Sequence, residues 1–327
     1  MGRAIAVEAV SRNHTVTILN RGTKPPPTGV RNLIGDRLAE DGLDVLDGMT
    51  FDAVVDTWSG EATPAIQAME RLKGRCHHYT FISSLSVYNT EKTPENDALF
   101  NEDTAVLDVE RQGASKSPYN YHKRTVEIAA EQILQHIPCL IARPGVIIGP
   151  HEEEYIERGR LLWWLHRLQK GGRVVAPEPR DLGLQLIDVR DLAAFVLNGA
   201  ENKAGGIFNL TGPTGTVTME KLLHAACHAT GNCSELVWIT PERITNAGVV
   251  PFMDLPLWVV PESKMYNLFY SWDTTKAKKN GLVCRSIEET VRDTWQWMQG
   301  PSGPVLAPGG VRVGGLSLEK ESILLGQ

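Results

Sequence analysis

Short runs of β-branched and aliphatic residues alternate with amphipathic stretches along the front of the chain. Ala4, Ile5, Val7, Ala9 and Val10 give one apolar face, which predicts an opening helix. His14–Leu19 is a β-branched run that predicts a strand, ending at Asn20-Arg21-Gly22, and Pro25-Pro26-Pro27 marks a loop. Val30–Ile34 predicts a second strand, stopped by Gly35-Asp36-Arg37. Leu38–Leu46 reads as helical, Phe51–Val55 as a buried strand closed by Asp56-Thr57, and Thr63–Leu72 as a helix. His78–Ile82 is a further strand closed by Ser83-Ser84, and Pro94–Ser117 reads as a long polar loop. Tyr119–Gln135 is a helix, and Cys139–Ala142 a strand closed by Arg143-Pro144-Gly145.

Strands alternate with helices, and small or polar residues cluster just after each strand. That pattern predicts an α/β fold: a doubly wound parallel sheet with helices on both faces and chemistry at the carboxyl ends of the strands. The remainder is less regular. Leu161–Gln169, Val189–Leu197, Met219–Thr230 and Ile287–Met298 read as helices, with strands at Gln185–Asp188 and Ile207–Leu210. Pro301–Gly315 is rich in glycine and proline, and Leu316–Leu325 reads as an amphipathic helix. The expected layout is a dinucleotide-binding domain over 1–150, to which 183–212 returns. A smaller α/β substrate lobe follows over 151–182 and 213–300, with a tail over 301–327.

Composition narrows the classes. The 327 residues are 42% hydrophobic and 22% charged, ordinary for a globular chain. With 33 basic and 39 acidic residues the net charge is −6, and no basic stripe favours nucleic acid. No window reaches the roughly eighteen apolar residues of a membrane span; the run Leu161–Leu165 is cut by Arg160 and His166. No signal peptide is expected from the opening residues, and the five cysteines are scattered without a CxxC. Free thiols in a reducing cytoplasm are expected.

The front of the pattern is unusual. A doubly wound nucleotide-binding sheet opens with a strand, a glycine-rich turn and a helix. Here the pattern starts inside that helix, and Gly2 stands where the last glycine of the turn would lie. The opening strand would run between the strands ending at Leu19 and Val55. Adjacent strands sit about 4.8 Å apart, so without it these two lie beyond pairing reach. Two accounts fit: the working protein carries roughly ten more residues, a strand and its turn, or the pyrophosphate cradle is absent and a nicotinamide cofactor binds weakly or not at all. The first is the expectation, because the other cofactor and catalytic positions are intact.

The strongest chemical constellation is Tyr119-Asn120-Tyr121-His122-Lys123. Tyr119 and Lys123, four apart, share a helix face. A phenol titrates near about 10, too high for acid–base work at neutral pH, and a neighbouring ammonium stabilises the phenolate and lowers that value. Lys123 can also grip ribose hydroxyls. The helix follows the strand ending in Ser83-Ser84-Leu85-Ser86-Val87-Tyr88, whose hydroxyls can reach the same substrate oxygen.

Taken in order, eight segments resemble the extended short-chain dehydrogenase/reductase family, also called the NAD-dependent epimerase/dehydratase family. They are Ile18–Gly22, Gly35-Asp36-Arg37, Val54–Thr57, Phe81–Tyr88, Tyr119-x-x-x-Lys123, Arg143–Pro150, Leu186–Leu192 and Phe208–Gly212. The resemblance covers residues 2 to 300 and is nearest to bacterial reductase-type members with Asn-Arg-Gly after the second family strand. It implies a Rossmann-type fold with Tyr119 as acid/base, Lys123 as its partner and ribose anchor, and Ser84 as the orienting hydroxyl, with Ser86 as runner-up. Sugar dehydratases of the family carry Asp-Glu where this chain has Leu85 and Ser86, which disfavours dehydration.

The resemblance also implies the cofactor positions. An acidic residue after the second family strand suits the NAD ribose, and an arginine suits a 2′-phosphate. Asn20-Arg21 therefore favours NADP, with NAD as the alternative. Asp36 resembles the adenine contact, Thr57 the residue passing the cofactor, and Arg143 and Gly145 the positions beside the nicotinamide. Nucleotide-sugar enzymes show an asparagine where this chain has Val146 or Ile147, which weakens that substrate class. Trp58, Tyr88, Tyr121, Trp163, Trp164 and Trp258 could wall an apolar pocket, though adjacent Trp163 and Trp164 cannot both face it. His122 reads as a surface residue, Glu152-Glu153-Glu154 as a solvated charge run, and His77 and His78 as no metal site.

The resulting reading is a cytoplasmic NADPH-dependent oxidoreductase, a carbonyl reductase, alcohol dehydrogenase or epimerase acting on a small molecule. The alternatives are a non-redox isomerase or cyclase on the same scaffold, and an RNA-binding role, since the family includes stem-loop-binding members with a similar Asn-Arg-Gly segment. By analogy, Thr63–Leu72 and Tyr119–Gln135 would form a homodimer interface.

Overall fold

The computed structural model describes residues 1–89, 99–109, 118–153, 155, 159–231, 234–306 and 314–326. Most of the expected polar loop over 94–117, Glu154, Cys233 and the centre of the glycine-rich tail lie outside the described residues. The elements run, in chain order, α1 (Gly2–Ser11), β1 (Val16–Asn20), β2 (Val30–Ile34), β3 (Val54–Asp56), α2 (Ala62–Leu72), β4 (Tyr79–Ile82), α3 (Pro118–Ile133), β5 (Cys139–Pro144) and β6 (Val146–Ile148). Then come α4 (Arg160–Gln169), β7 (Arg173–Pro177), β8 (Gly183–Leu184), β9 (Leu186–Asp188), α5 (Val189–Glu201), β10 (Gly206–Leu210), β11 (Val217–Thr218), α6 (Met219–Thr230) and β12 (Glu235–Ile239). The chain closes with α7 (Pro241–Asn246), α8 (Lys264–Tyr270), α9 (Thr275–Lys279), α10 (Ile287–Gln299) and α11 (Leu318–Leu325).

The chain divides into two compact units. The first comprises Met1–Gly145, Arg190–Leu210 and Thr274–Val283; the second comprises Val146–Val189, Thr211–Asp273 and Cys284–Gln327. The 301–327 tail thus falls within the second unit.

In the first unit a four-stranded parallel sheet has the order β10-β5-β4-β3. Tyr79 pairs with Val54 on one side and Cys139 on the other, so the ends of β3, β4 and β5 lie side by side. Successive side chains on a strand point to opposite faces. Tyr79 and Phe81 therefore share one face, where Ala65 and Met69 of α2 and Val126 and Ala130 of α3 cover them. Phe208 of β10 instead meets Phe195 of α5, with ring centroids 5.4 Å apart. Its neighbour Ile207 joins the α2/α3 side, so helices cover both faces, as a doubly wound sheet requires.

β1 and β2 form a separate two-stranded parallel sheet. Among the described residues β1 pairs only with β2 and β3 only with β4, the separation expected from their spacing. Gly2, at the start of α1, lies against the end of β3: a Cβ there would sit 3.4 Å from Thr57 Oγ1.

Two local expectations need correction. Leu38–Leu46 is not a helix; it holds turns and a single 3-10 turn over Asp44–Leu46. The chain folds back at Gly42 so closely that a Cβ would overlap the Asp36 carbonyl, while the Asp36 carboxylate accepts from Leu38 N at 3.0 Å. The Glu152 side chain is buried, not solvated. Its two oxygens accept from the first amides of α4, Arg160 N at 3.0 Å and Leu161 N at 3.1 Å. These amides have no intrahelical partner, and a carboxylate there also meets the positive end of the helix dipole. Burial nevertheless holds this carboxyl above its ordinary value against the pull of Arg160.

The second unit packs α4, α6 and α10 with three strand pairs, β6-β9 and β7-β12 parallel and β8-β11 antiparallel. Trp164 and Trp258 are fully buried in its core and Trp163 nearly so. No helix among the described residues is long and apolar enough to cross a membrane.

Candidate active site

The carboxyl ends of β3, β4 and β5 and the first turns of α3 bring the chemistry together. Ser84 follows β4 and caps a 3-10 turn over Leu85–Val87, its hydroxyl accepting from Ser86 N at 3.1 Å and from Ser86 Oγ at 2.9 Å. Tyr119 opens α3 and keeps 39% of its surface exposed. Local burial still pushes its phenol above the ordinary value, and the nearby Ser84 hydroxyl pulls part of the way back. The two hydroxyls that the sequence couples are thus near enough to act on each other.

Lys123 sits one turn further into α3 and is 3% exposed. Its Nζ donates to the carbonyl of Trp58 and, at 2.6 Å, to that of Ile82. It lies 4.8 Å from the Phe81 ring centroid and 5.7 Å from that of Tyr119. Burial lowers the ammonium to about 8, with the charges of Asp56 and Glu127 opposing the fall. The expected drop in the phenol value is not observed. The ammonium is satisfied by two backbone carbonyls, and the phenol's environment is set by burial and Ser84.

Beneath Lys123 lies a carboxylate that in the sequence only marks the end of a strand. Asp56 is buried at the end of β3. Its Oδ1 accepts from Arg37 Nη1 at 2.7 Å and Trp58 N at 2.9 Å; its Oδ2 accepts from Arg37 Nη2 at 2.8 Å and Tyr79 OH at 3.0 Å. Burial alone would raise this carboxyl; the forked Arg37 pair outweighs it and holds the group below its ordinary value. A second buried carboxylate, Glu127, is one turn past Lys123. It accepts from Ser83 Oγ at 2.6 Å, from Arg143 Nε and Nη2 at 2.8 and 2.7 Å, and from Arg124 Nη1 at 3.0 Å. Tyr119, Lys123 and Glu127 form a stripe at four-residue spacing, the one sequence signal that could have flagged Glu127.

The remaining expected positions separate into open and engaged side chains. Arg21 is exposed after β1, beside Asn20, whose Oδ1 accepts from Gly22 N at 2.7 Å. Asp36 and Thr57 are half-buried after β2 and β3. Gly2 meets Thr57, as above. Gly145 follows β5, its N–H bonded to Leu210 O at 3.0 Å. Arg143 is 1% exposed, paired with Glu127 and stacked 4.7 Å over Tyr88, so its guanidinium is a packing group and not an open contact. Tyr88, Trp163, Trp164 and Trp258 are likewise buried, whereas Trp58 and Tyr121 are half-buried. His78 is buried with a ring nitrogen 2.9 Å from Ala204 O, and no metal-holding cluster occurs among the described residues.

The donor set suits a dinucleotide. The first amides of α1, which a helix leaves without intrahelical partners, can face a pyrophosphate, Gly2 leaves room beside Thr57, and a cation and an acidic side chain follow β1 and β2. The fold is Rossmann-type, and comparison with solved structures agrees. The chain superposes on UDP-glucose 4-epimerase of Thermus thermophilus in complex with NAD with a TM-score of 0.66 at 17% identity, covering 92% of this chain and 96% of that one. It superposes on UDP-glucose 4-epimerase of Thermotoga maritima with UDP-glucose at 0.63 and 15% identity, covering 91% and 95%. The chain belongs to the NAD dependent epimerase/dehydratase family, whose model matches residues 1–211; that is a family of NAD(P)-dependent enzymes. A curated relative, chloroplast stem-loop binding protein of 41 kDa b from Arabidopsis thaliana, is 28% identical over 245 residues, covering 68% of this chain. The match spans 58% of that relative's length.

Proposed function

We propose that the chain is an NADP-dependent oxidoreductase acting on a carbonyl or alcohol carbon of a small molecule. The observation that carries this reading is Tyr119 beside Ser84, near enough for the serine hydroxyl to act on the phenol, with buried Lys123 one helical turn away. A nicotinamide bound at the strand ends would supply or accept the hydride. Tyr119 gives or takes the proton at the substrate oxygen, and the hydroxyls of Tyr119 and Ser84 stabilise charge developing there. With its phenol held above the ordinary value, Tyr119 is protonated at neutral pH, the form that donates in the reducing direction. Epimerisation by transient oxidation uses the same residues. Arg21, with no acidic residue beside it after β1, supports a 2′-phosphate over a bare ribose. Lys123 serves the nicotinamide ribose, Asp36 the adenine and the backbone at Gly145 the nicotinamide end.

NADPH and NADH binding, followed by quenching of tryptophan fluorescence, tests the cofactor reading on this chain and on one extended upstream. NADPH is expected to bind more tightly, and Arg21→Ala to remove that preference. Failure of both cofactors to bind either protein overturns the redox reading and leaves a non-redox isomerase on the same scaffold. A second reading, RNA binding, draws on the 28% identity to a stem-loop binding protein. The net charge of −6 weighs against it, and a salt-sensitive gel shift with a stem-loop RNA would revive it.

A further inference from the structure

Lys123 is held by a stretch of chain that a buried carboxylate, Asp56, shapes. We propose that Asp56 is the positioning residue for Lys123: it fixes the turn whose carbonyl takes the ammonium, and its charge keeps that ammonium protonated in a desolvated place. The geometry is a short relay. The Trp58 N–H donates to Asp56 Oδ1 at 2.9 Å, which folds the residues after β3 into a turn. The same residue's carbonyl accepts from Lys123 Nζ. The indole of Trp58 is pinned in turn, its Nε1 donating to Glu61 O at 2.7 Å and its ring lying 5.3 Å from the Arg37 guanidinium. Lys123 thus follows the position of a turn set by a carboxylate that is itself set by Arg37 and Tyr79.

The charge argument is independent of the turn. A buried ammonium loses hydration and favours its neutral form unless opposite charge compensates. Among the described residues the groups facing Lys123 are few. From β4 come the Phe81 ring and the Ile82 carbonyl, both uncharged. From its own helix come Tyr119 and Glu127, the latter already shared by Arg143 and Arg124. From the end of β3 comes Asp56, shared with Arg37. Both carboxylates act on Lys123. Glu127 answers to two guanidinium groups and Asp56 to one, so Asp56 has the larger uncompensated share. The bonds Asp56 makes go to Arg37, Trp58 and Tyr79, none of them to Tyr119, so it acts through Lys123.

This rests on Lys123 belonging to the proposed site, but its test reads the amine directly and needs no substrate. The full chain labelled with ¹³C-lysine is titrated by NMR, following the Cε resonance that Lys123→Met removes. In the wild type the midpoint is expected at about 8. Asp56→Asn keeps the shape and removes the charge, and the midpoint is expected to fall by about one pH unit or more, a tenfold change in acid constant. Arg37→Gln removes the competing cation and leaves the carboxylate to Lys123, so the midpoint is expected to rise. A role in packing alone would loosen the site in both variants and move the midpoint the same way, or not at all; either result overturns the proposal. A wild-type midpoint at the ordinary lysine value overturns it without any variant. The expected titration shifts alongside a protein that ignores NADPH would instead sink only the redox reading.

Discussion

Tyr119 and Lys123 are legible without any fold because a helix turns the spacing of four into a shared face. Tyr119→Phe keeps the ring and removes the hydroxyl on which Ser84 acts. Turnover of any accepted substrate is expected to fall by about 100-fold or more, with NADPH binding unchanged, as steady-state rates and fluorescence titration would show. Lys123 gives a prediction of a different kind. Its amine titrates at 10.5 in the ordinary state and at about 8 in the folded chain. Between those values the unfolded chain binds more protons than the folded one, so folding stability rises with pH across that interval and the penalty is complete below it. Lys123→Met lacks the effect. The wild-type unfolding free energy minus that of the variant should therefore grow by about 3 kcal/mol through the interval, measured by urea melts at stepped pH. A flat difference would mean the amine is not desolvated. What sequence could not supply was Asp56 and its partner Arg37. They stand nineteen positions apart and meet only because the turn after β2 comes to the end of β3. Tyr79, the third partner, reaches Asp56 from the neighbouring strand by the sheet register.

Element existence follows from periodicity, and element ends from capping chemistry. The Met219–Thr230 helix matches its expected bounds because Thr218 caps it, accepting from Lys221 N, and Gly231 closes it in a left-handed conformation at φ 66°. Where a cap comes from far along the chain, sequence misleads. Glu152 stands among charged neighbours that suggest a solvated run, yet it reaches eight residues forward to close the start of α4. The ion pair with Arg160 Nε at 3.1 Å and the bond from Arg160 Nη2 to Ile147 O at 2.7 Å tie the same helix start to β6. Glu152→Ala leaves two buried amides without acceptors and is expected to cost about 1–3 kcal/mol, seen as a lower melting temperature. Glu152→Gln retains one carbonyl oxygen and should recover part of the loss. Equal stability of all three proteins would return Glu152 to the solvated face that its sequence context suggests. The absent Leu38–Leu46 helix has the same origin: its apolar period is interrupted at Gly42, whose close approach to the Asp36 carbonyl is set by the chain folding back and not by local propensity.

At the scale of the molecule, the division of strands into two sheets governs how stability is distributed. The sheet β10-β5-β4-β3 has two central strands, and Tyr79, Phe81, Leu140 and Ala142 are fully buried in it. β1–β2 is a two-stranded parallel pair whose first strand is only half-buried along its whole length. An isolated two-stranded pair is marginal in water, and local opening starts where backbone hydrogen bonds are few and exposed. Sheet separation is derivable from strand spacing alone, but its energetic consequence needs the burial pattern. Amide hydrogen exchange on the 327-residue chain should therefore show two classes. Val16–Asn20 and Val30–Ile34 should exchange in a fast cooperative step, while Tyr79–Ile82 and Cys139–Ala142 exchange only with global unfolding. Arg21 and Asp36 follow the two fast strands, so the adenosine end of any bound dinucleotide would rest on the least stable part of the first unit. NADPH that engages those residues must then slow exchange in β1 and β2 and leave β4 and β5 unchanged. Uniform protection across both sheets in the free protein would show that β1 and β2 are held by more than their mutual pairing.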